Sequence, residues 1–392
     1  MTLNLHEKLD RFIDLHREAI VQLALQIHSN PELRFEEHRA AQWITELVEA
    51  SSSSAVTRPF GGLETALHAR CGLDRADAPS VALLAEYDAL PHMGHACGHN
   101  LIAAGASAAF VALASLGDEL RGAAHLIGTP AEEGGGGKIM LLEAGCFEGI
   151  DAAMMFHPFD RDVLVHPTLA NLWLQFHFSG KASHAAIAPW DGQSALSAVT
   201  NTFSLVDSQR VHFRDGVRVH GFVTQGGEAV NIIASKASCE FSVRATHVDE
   251  LARVRAIVER CARAAAMASD VQLEITARRG YKDIRNNEPL ADQFGAHLRA
   301  LGRAPKRTDA TVGAGSTDMG DISHAMPSIH PWIAICEEGE TTCHQHAFVR
   351  CAASQKGLDA MIVAAKGMAR TALDFLHQPA LREDVLRAWK QL

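Results

Sequence analysis

The sequence predicts an α/β fold in which a larger domain, with a largely parallel central sheet flanked by helices, carries a smaller inserted α+β domain. After residue 54, apolar runs of strand length alternate with turn signals and helical stretches, which is typical of a mainly parallel sheet. Between residues 169 and 284 the order becomes strand, helix, strand, strand, helix, strand, which is the ferredoxin-like order. A chain of 392 residues is long enough for two domains.

The change of pattern divides the chain into three segments. We predict that residues 1–168 form the first part of the larger domain, that 169–284 form the inserted domain, and that 285–392 complete the larger domain. The last segment contains a glycine-rich loop at 313–323 and a returning strand in the run PWIAI.

The first predicted element is helical. Its apolar residues recur at spacings of three, four and seven, namely Leu5, Leu9, Ile13, Ile20, Leu23 and Ile27. Asn30 and Pro31 end this helical face, because proline cannot continue a helix. A second helix is predicted from about Glu36 to Ala50, and the four serines at 51–54 form a polar connector.

Three apolar runs predict buried strands, at 80–85, 123–129 and 151–156. Polar side chains follow each of them: Glu86 and Asp88 the first, the pair at 132–133 the second, and His157 the third. The carboxyl ends of parallel strands meet at one edge of a sheet, so we expect these side chains to converge. Such a convergence of carboxylates, histidine and cysteine indicates a metal site.

Composition excludes several classes of function. The chain is 47% hydrophobic, has a formal net charge of −10 and shows no concentrated basic run, which argues against a nucleic-acid partner. The amphipathic, charged N-terminus predicts neither a secretory signal nor a membrane span, so we expect a cytoplasmic protein without a membrane partner. Eight cysteines spread over this length predict buried thiols rather than a disulfide framework.

Cys97 and His99 stand two apart inside the glycine-bracketed turn GHACGHNLIAAG, at 94–105. This pattern alone fits a nucleophilic cysteine, half of a metal site, or a small-residue turn that holds an inert thiol. A hydrolase that uses Cys97 as its nucleophile would need no metal, so sensitivity to chelators separates the first two alternatives.

Five ordered motifs carry a resemblance that covers nearly the whole chain. They are EYDALPHMGHACGHN, TPAEEGGGG, FHPF, GKASHAAIAPWDGQSAL and CHQHAF. In this order and spacing they resemble the aminoacylase and carboxypeptidase-G family of dinuclear metallopeptidases, metallopeptidase family 20. The closest likeness is to its amidohydrolase branch, which includes hippurate hydrolase, auxin-conjugate hydrolases and aminobenzoyl-glutamate hydrolases.

The resemblance implies a role for each matching residue. The implied metal ligands are Cys97, His99, Glu133, His157 and His344. Glu132 would be the general base, and Asp88 would orient a ligand. His184 would stabilise the oxyanion in a partner subunit's site, while Asn231 and Arg244 would hold the substrate's carboxylate or carbonyl. The inserted domain would then be a lid and dimerisation domain, and the loop at 313–323 would face the substrate.

Two positions depart from the family pattern. Cys97 stands where the carboxypeptidase branch uses a carboxylate bridge, and Glu86 stands where a histidine ligand would stand. The metal is therefore open between zinc and manganese, with cobalt and nickel as further alternatives.

The resemblance implies a homodimeric hydrolase, dependent on two divalent metal ions, that cleaves N-acyl amino acids, aminobenzoyl-glutamate conjugates or small dipeptides. Two alternatives remain. One is an N-carbamoyl amino acid hydrolase of the same family, and the other is a catalytically silent, metal-bearing scaffold that binds peptides.

Overall fold

The structure, a computed structural model, describes residues 4–73, 75 and 78–392. Its helices in this part of the chain are α1 (Leu5–Leu15), α2 (Arg17–Ser29), α3 (His38–Ser51), α4 (His99–Ala114), α5 (Gly137–Glu143), α6 (Ala195–Gln209), α7 (Val248–Ala268), α8 (Glu288–Ala300), α9 (Met319–Ala325), α10 (His346–Cys351), α11 (Gln355–His377) and α12 (Pro379–Lys390). Among these, none combines the length and apolar character that crossing a membrane requires.

The strands of the same described residues follow in chain order. They are β1 (Val56–Thr57), β2 (Leu67–Gly72), β3 (Ser80–Ala85), β4 (Ala123–Gly128), β5 (Ala152–Met154), β6 (His157–Phe159), β7 (Ala170–Ser179), β8 (Arg218–Gln225), β9 (Lys236–Ala245), β10 (Gln272–Arg278), β11 (Ser328–Ile329) and β12 (Trp332–Ala334).

The chain divides into two compact units. The first takes in the chain up to His166 together with Arg285–Gly313 and Asp321–Leu392, and the second consists of Pro167–Ile284 and Ala314–Gly320. The sequence prediction placed 314–320 with the larger domain. In the structure this segment bonds to residues of the second unit: Leu169 N donates to Gly315 O (2.7 Å), and Ser316 Oγ donates to Leu169 O (2.7 Å).

The first unit is built on a six-stranded sheet in the order β1-β2-β4-β3-β5-β11. The β4/β3, β3/β5 and β5/β11 pairs are parallel, whereas β1/β2 and β2/β4 are antiparallel. Every residue of β3 is buried, as expected for a central parallel strand with both faces covered. The predicted α/β class with a mostly parallel sheet is confirmed.

The second unit has a four-stranded antiparallel sheet in the order β10-β7-β9-β8, which is the ferredoxin-like arrangement that the element order predicts. Helices α6 and α7 pack on each other and on this sheet. Buried residues alternate with less buried ones along β9, because only one face of the sheet is covered by the helices.

The N-terminal helical face is split between two helices. α1 ends at Leu15 and α2 begins at Arg17, and His16 between them has φ −99° and ψ 8°. The His16 ring stacks on Phe12 at 4.0 Å and its Nδ1 bonds to Phe12 O (2.9 Å), so the side chain competes for a helical carbonyl. The spacing of seven from Ile13 to Ile20 keeps the apolar face continuous across the break, which is why periodicity alone does not reveal it.

A buried carboxylate joins three helices of the first unit. Asp374 on α11 accepts from His6 Nε2 on α1 (2.9 Å), and from His297 Nε2 (2.7 Å) and Gln293 Nε2 (2.6 Å) on α8. Burial alone would raise the pKa of Asp374, but hydrogen bonds from His297 and His6 hold this pKa well below its ordinary value. The charged carboxylate therefore adds stability above the unfolded-state pKa of about 3.9, and this contribution is lost as the pH falls toward the folded-state pKa.

We expect Asp374→Asn to lower the free energy of unfolding at pH 7 by about 2–4 kcal/mol, because hydrogen bonds to a buried charge are lost. The difference from wild type should shrink below about pH 4, where the wild-type carboxylate begins to lose its advantage. Chemical denaturation at several pH values measures both effects. Asp359→Asn, at an exposed ion pair on the same helix, is the control and should change stability by less than about 0.5 kcal/mol. Equal stabilities of Asp374→Asn and wild type would contradict this role.

Candidate metal centre

Three strand ends of the first unit carry the predicted polar side chains. β3 is followed by Glu86 and Asp88, β4 by the pair at 132–133, and β5 by His157. Because β3, β4 and β5 are mutually parallel, their carboxyl ends lie at the same edge of the sheet.

The turn after Asp88 brings Cys97 and His99 to this edge. Helix α4 begins at His99, and its N-cap residue Gly98 has a φ of 73°. A Cβ atom on Gly98 would lie 2.9 Å from the Pro158 ring, so a larger residue would meet both backbone strain and a clash. This explains the glycine between the cysteine and the histidine.

One group of potential metal ligands consists of Cys97, His99 and Glu133, whose ligand atoms lie within 4.8 Å of one another. Cys97 Sγ donates to Glu133 Oε1 at 2.8 Å, and His344 Nε2 lies 3.5 Å from the same oxygen. His344 is remote in sequence, and its backbone N–H donates to Ala96 O (3.0 Å). This bond fixes His344 beside the turn that carries Cys97.

A second group consists of Glu86, His99 and His157, again with ligand atoms within 4.8 Å of one another. His157 Nδ1 donates to Pro158 O at 2.8 Å. A carbonyl oxygen only accepts hydrogen bonds, so the neutral His157 ring has its lone pair on Nε2. His99 belongs to both groups.

Asp88 sets the orientation of His99. His99 Nδ1 lies 3.0 Å from Asp88 Oδ1 and 2.9 Å from Asp88 O, and both of these oxygens are acceptors. The other carboxylate oxygen of Asp88 accepts from Glu133 N at 2.9 Å. Asp88 thus connects two residues of the first group, and a carboxylate bonded in this way is the usual support for a metal-binding histidine.

Two buried polar atoms at this place suit a cation. His99 Nε2 and Glu86 Oε2 are 3.4 Å apart, and neither has a hydrogen-bond partner among the described residues. Buried polar atoms are rarely left without a partner, and a divalent ion would satisfy both. A set of thiolate, imidazole and carboxylate donors suits zinc and similar ions. The residues present therefore fit a metal centre.

A buried lysine compensates the charge of Glu86. Lys138 Nζ donates to Glu86 Oε1, and both side chains are fully buried. Lys138 lies in the first turn of α5, directly after the glycine run. A buried carboxylate is costly unless it is paired, so Lys138 allows Glu86 to stand beside the histidines.

The charges of the site shift several pKa values. Burial alone would lower the pKa of His99, but Asp88 and Glu86 raise it well above its ordinary value. Burial lowers the pKa of His157 to about 4. Burial alone would raise the pKa of Glu133, but the hydrogen bond from His344 and the charge of His99 outweigh it and lower this pKa. A hydrogen bond with Cys343 and burial raise the pKa of Cys97 well above its ordinary value.

A tight turn presents Glu132, which is 9% exposed, next to Glu133. Ala131 has a φ of 62°, and its carbonyl accepts from the N–H groups of Gly135 (3.0 Å) and Gly136 (2.8 Å). A Cβ atom on Gly137 would lie 1.9 Å from Pro130 O. The glycine run is therefore part of a compact turn and not a flexible linker.

The remaining predicted site residues belong to the second unit. His184 and Asn231 are exposed neighbours there: the N–H of Ala185 donates to Asn231 O (3.0 Å), and His184 Nδ1 accepts from two backbone N–H groups. Arg244 lies on β9 with its guanidinium 3.4 Å from the hydroxyl of Ser316 in the glycine-rich loop. The structure thus brings Arg244 together with the loop predicted to face the substrate.

The sequence analysis did not identify Lys138 as part of the site, nor the cluster that His330 and His166 form next to His157. His330 is buried, and neither of its ring nitrogens has a hydrogen-bond partner in the described part of the chain. Its ring centroid lies 5.3 Å from that of His157 and 5.7 Å from that of His166. Each of these three histidines precedes a proline, so the repeated His-Pro dipeptide was the available signal.

Comparison with known proteins matches residues 82–372 to "Peptidase family M20/M25/M40". A mouse Xaa-Arg dipeptidase is 37% identical over 96% of this chain and 90% of its own length. A p-aminobenzoyl-glutamate hydrolase subunit from Escherichia coli is 28% identical over 96% of this chain and 93% of its own.

Among solved structures, a dinuclear metal-binding peptidase of the M20 family from Bacillus subtilis superposes with a TM-score of 0.74. The two chains are 20% identical, and the match covers 93% of this chain and 99% of the Bacillus subtilis chain. The two proteins therefore share the same fold. The family match spans most of the chain and the dipeptidase relative spans nearly all of it, which confirms the predicted resemblance. The chain therefore belongs to peptidase family M20/M25/M40, and it is a metal-dependent hydrolase of amide or peptide bonds.

Proposed function

We propose that this protein is a dinuclear hydrolase of dipeptides and N-acyl amino acids. The observation that carries the proposal is the pair of ligand groups that share His99, whose Nε2 has no hydrogen-bond partner among the described residues. Cys97, Glu133 and His344 would hold one ion together with His99. His157 would be a ligand of the second ion. The thiolate favours zinc, with manganese, cobalt and nickel as alternatives.

Bound divalent ions would polarise the amide carbonyl and lower the pKa of a bound water. Glu132 takes a proton from the attacking water and delivers it to the leaving amine, because it stands next to a ligand without being needed as one. Asp88 holds the His99 ring in place. His184 donates to the oxyanion from the partner subunit.

Relatives favour dipeptides over other amides as the substrate class. The relatives with 37% and 35% identity are both named Xaa-Arg dipeptidase, so we infer that the protein cleaves dipeptides with a basic C-terminal residue. Arg244 binds the substrate's free carboxylate, with Asn231 as a second contact. A guanidinium offers two parallel donors to a carboxylate, and its neighbour Ser316 adds a hydroxyl.

A substrate panel tests this function. It contains Xaa-Arg and Xaa-Lys dipeptides, aminobenzoyl-glutamate, N-acetyl and N-carbamoyl amino acids, and the C-terminal carboxamide of each. We expect free dipeptides to be cleaved best and carboxamides poorly. Arg244→Ala should lower kcat/KM for free acids by an amount that corresponds to about 2–4 kcal/mol of lost transition-state stabilisation. The kcat/KM values for the carboxamides should stay nearly unchanged.

Arg278→Ala, on β10 of the same sheet, is the control, because Arg278 is already paired with Glu240. Equal efficiency of the wild type on a free acid and its carboxamide would refute the carboxylate contact. Preference for N-carbamoyl substrates would favour the alternative hydrolase, and absence of turnover on the whole panel would favour the silent scaffold.

We also infer a cytoplasmic homodimer that assembles through the second unit. All eight cysteines are free thiols, which suits a reducing compartment. If His184 acts in the partner's site, mixing His184→Ala chains with Glu132→Gln chains should restore some activity, because one site in each mixed dimer is whole. Inactivity of the mixture after confirmed subunit exchange would place His184 outside the partner's site.

A further inference from the structure

Glu37 is a buried carboxyl group that the proposed mechanism does not use. It is the N-cap residue of α3, yet its side chain makes no capping hydrogen bond to its own helix. Its Oε1 instead accepts from the backbone N–H of Ala131 at 2.9 Å, across 94 residues of sequence. Glu37 and Ala131 are both fully buried, so water cannot replace this bond.

Ala131 is where the turn that carries the glutamate pair begins. Its φ of 62° is in the left-handed region, which a residue with a side chain adopts only when its surroundings hold it there. Its carbonyl anchors Gly135 and Gly136, and its N–H is bound by Glu37. Both sides of the strained residue are therefore fixed, and the next residue in the chain is Glu132.

We propose that Glu37 is a positioning residue that holds Ala131 in its left-handed conformation and thereby aims Glu132 at the reacting water. This inference rests on the proposed role of Glu132. A general base displaced by a fraction of an ångström works much less well, whereas substrate binding elsewhere is unaffected. Burial and the nearby Asp88 raise the pKa of Glu37 to about 7, which agrees with a dry environment around this carboxyl group.

Two conservative variants separate the reach of this side chain from its charge. Glu37→Gln keeps an oxygen at the same distance and should keep kcat within about threefold of wild type. Glu37→Asp keeps the carboxylate but is one methylene shorter and cannot reach Ala131 N. We expect it to lower kcat roughly 10- to 100-fold, with KM within about threefold and metal content unchanged. Glu36→Asp, at the exposed neighbouring position, is the matched control.

A double-mutant cycle identifies the residue through which Glu37 acts. In the Glu132→Gln background, Glu37→Asp should cause almost no further loss of kcat, because the base it positions is already absent. A full additional loss in that background would overturn the proposal, as would wild-type kcat in Glu37→Asp. Equal losses in Glu37→Gln and Glu37→Asp would also overturn it. High turnover of Glu132→Gln alone would refute the general-base assignment instead, so the two failures are distinguishable.

Discussion

Glu132→Gln is expected to fold normally, keep its metal and lose roughly 10²- to 10⁴-fold in kcat, the usual contribution of a general acid–base group. Glutamine has nearly the same shape but cannot accept the proton of the attacking water. The ligand group of Cys97, His99 and Glu133 does not need Glu132, so metal affinity should stay close to wild type. Steady-state kinetics together with elemental analysis of the same preparation measures both quantities.

Glu143→Gln, at the exposed end of α5, is the control for replacing a glutamate near this turn. It should behave like wild type in both measurements. If Glu132→Gln keeps near-wild-type turnover, the proton transfers belong to another group. If it loses metal along with turnover, Glu132 is a ligand rather than a base.

His99→Asn is expected to abolish binding of the ion that His99 would hold with Cys97 and Glu133, and to lower turnover roughly 10³-fold or more, since metal-ion catalysis supplies several kcal/mol. His99 is the side chain that the two groups share, and its Nδ1 is already committed to Asp88.

Isothermal titration of the metal-free variant with zinc tests this expectation independently of activity. His92→Asn, an exposed histidine seven residues earlier, is the control and should bind metal like wild type. Two tight sites remaining in His99→Asn would show that the centre is built from a different set of ligands.

The sequence predicts this fold well where burial is continuous. The run SVALLA corresponds to β3 at Ser80–Ala85, because a strand covered on both faces is apolar at every position. The convergence of Glu86, Asp88 and His157 also follows from the sequence, since parallel strands end at the same edge of a sheet. The local sequence pattern and one rule of sheet topology are therefore enough to place the candidate metal centre at this edge of the sheet.

Contacts between residues that are far apart in the sequence cannot be predicted from local sequence patterns. The bond from Ala131 to Glu37 joins residues 94 apart, and nothing in the local sequence around either residue indicates the other. The pairing of Lys138 with Glu86 also depends on packing between distant segments. A lysine at the start of a helix is normally exposed to solvent, and only the folded structure shows that Lys138 is buried. The assignment of 314–320 to the second unit likewise rests on hydrogen bonds to residues near 169.

The two departures from the family pattern, at Cys97 and Glu86, change the donor atoms that the candidate metal centre offers. As a metal ligand, Cys97 would be deprotonated despite its raised pKa, because only the thiolate binds a metal ion. The family resemblance implies a histidine ligand at the position of Glu86, and Lys138 balances the charge of this glutamate. Both changes alter the charge of the candidate site, so we expect them to affect which metal ion it prefers.

The most direct test of the central claim is the metal content of active, freshly purified protein. Elemental analysis should find close to two divalent ions per chain. Removal of these ions by a chelator should abolish hydrolysis, and restoring zinc or manganese should recover it. Full hydrolytic activity in protein that contains no bound metal would contradict the account and would return Cys97 to the role of a candidate nucleophile.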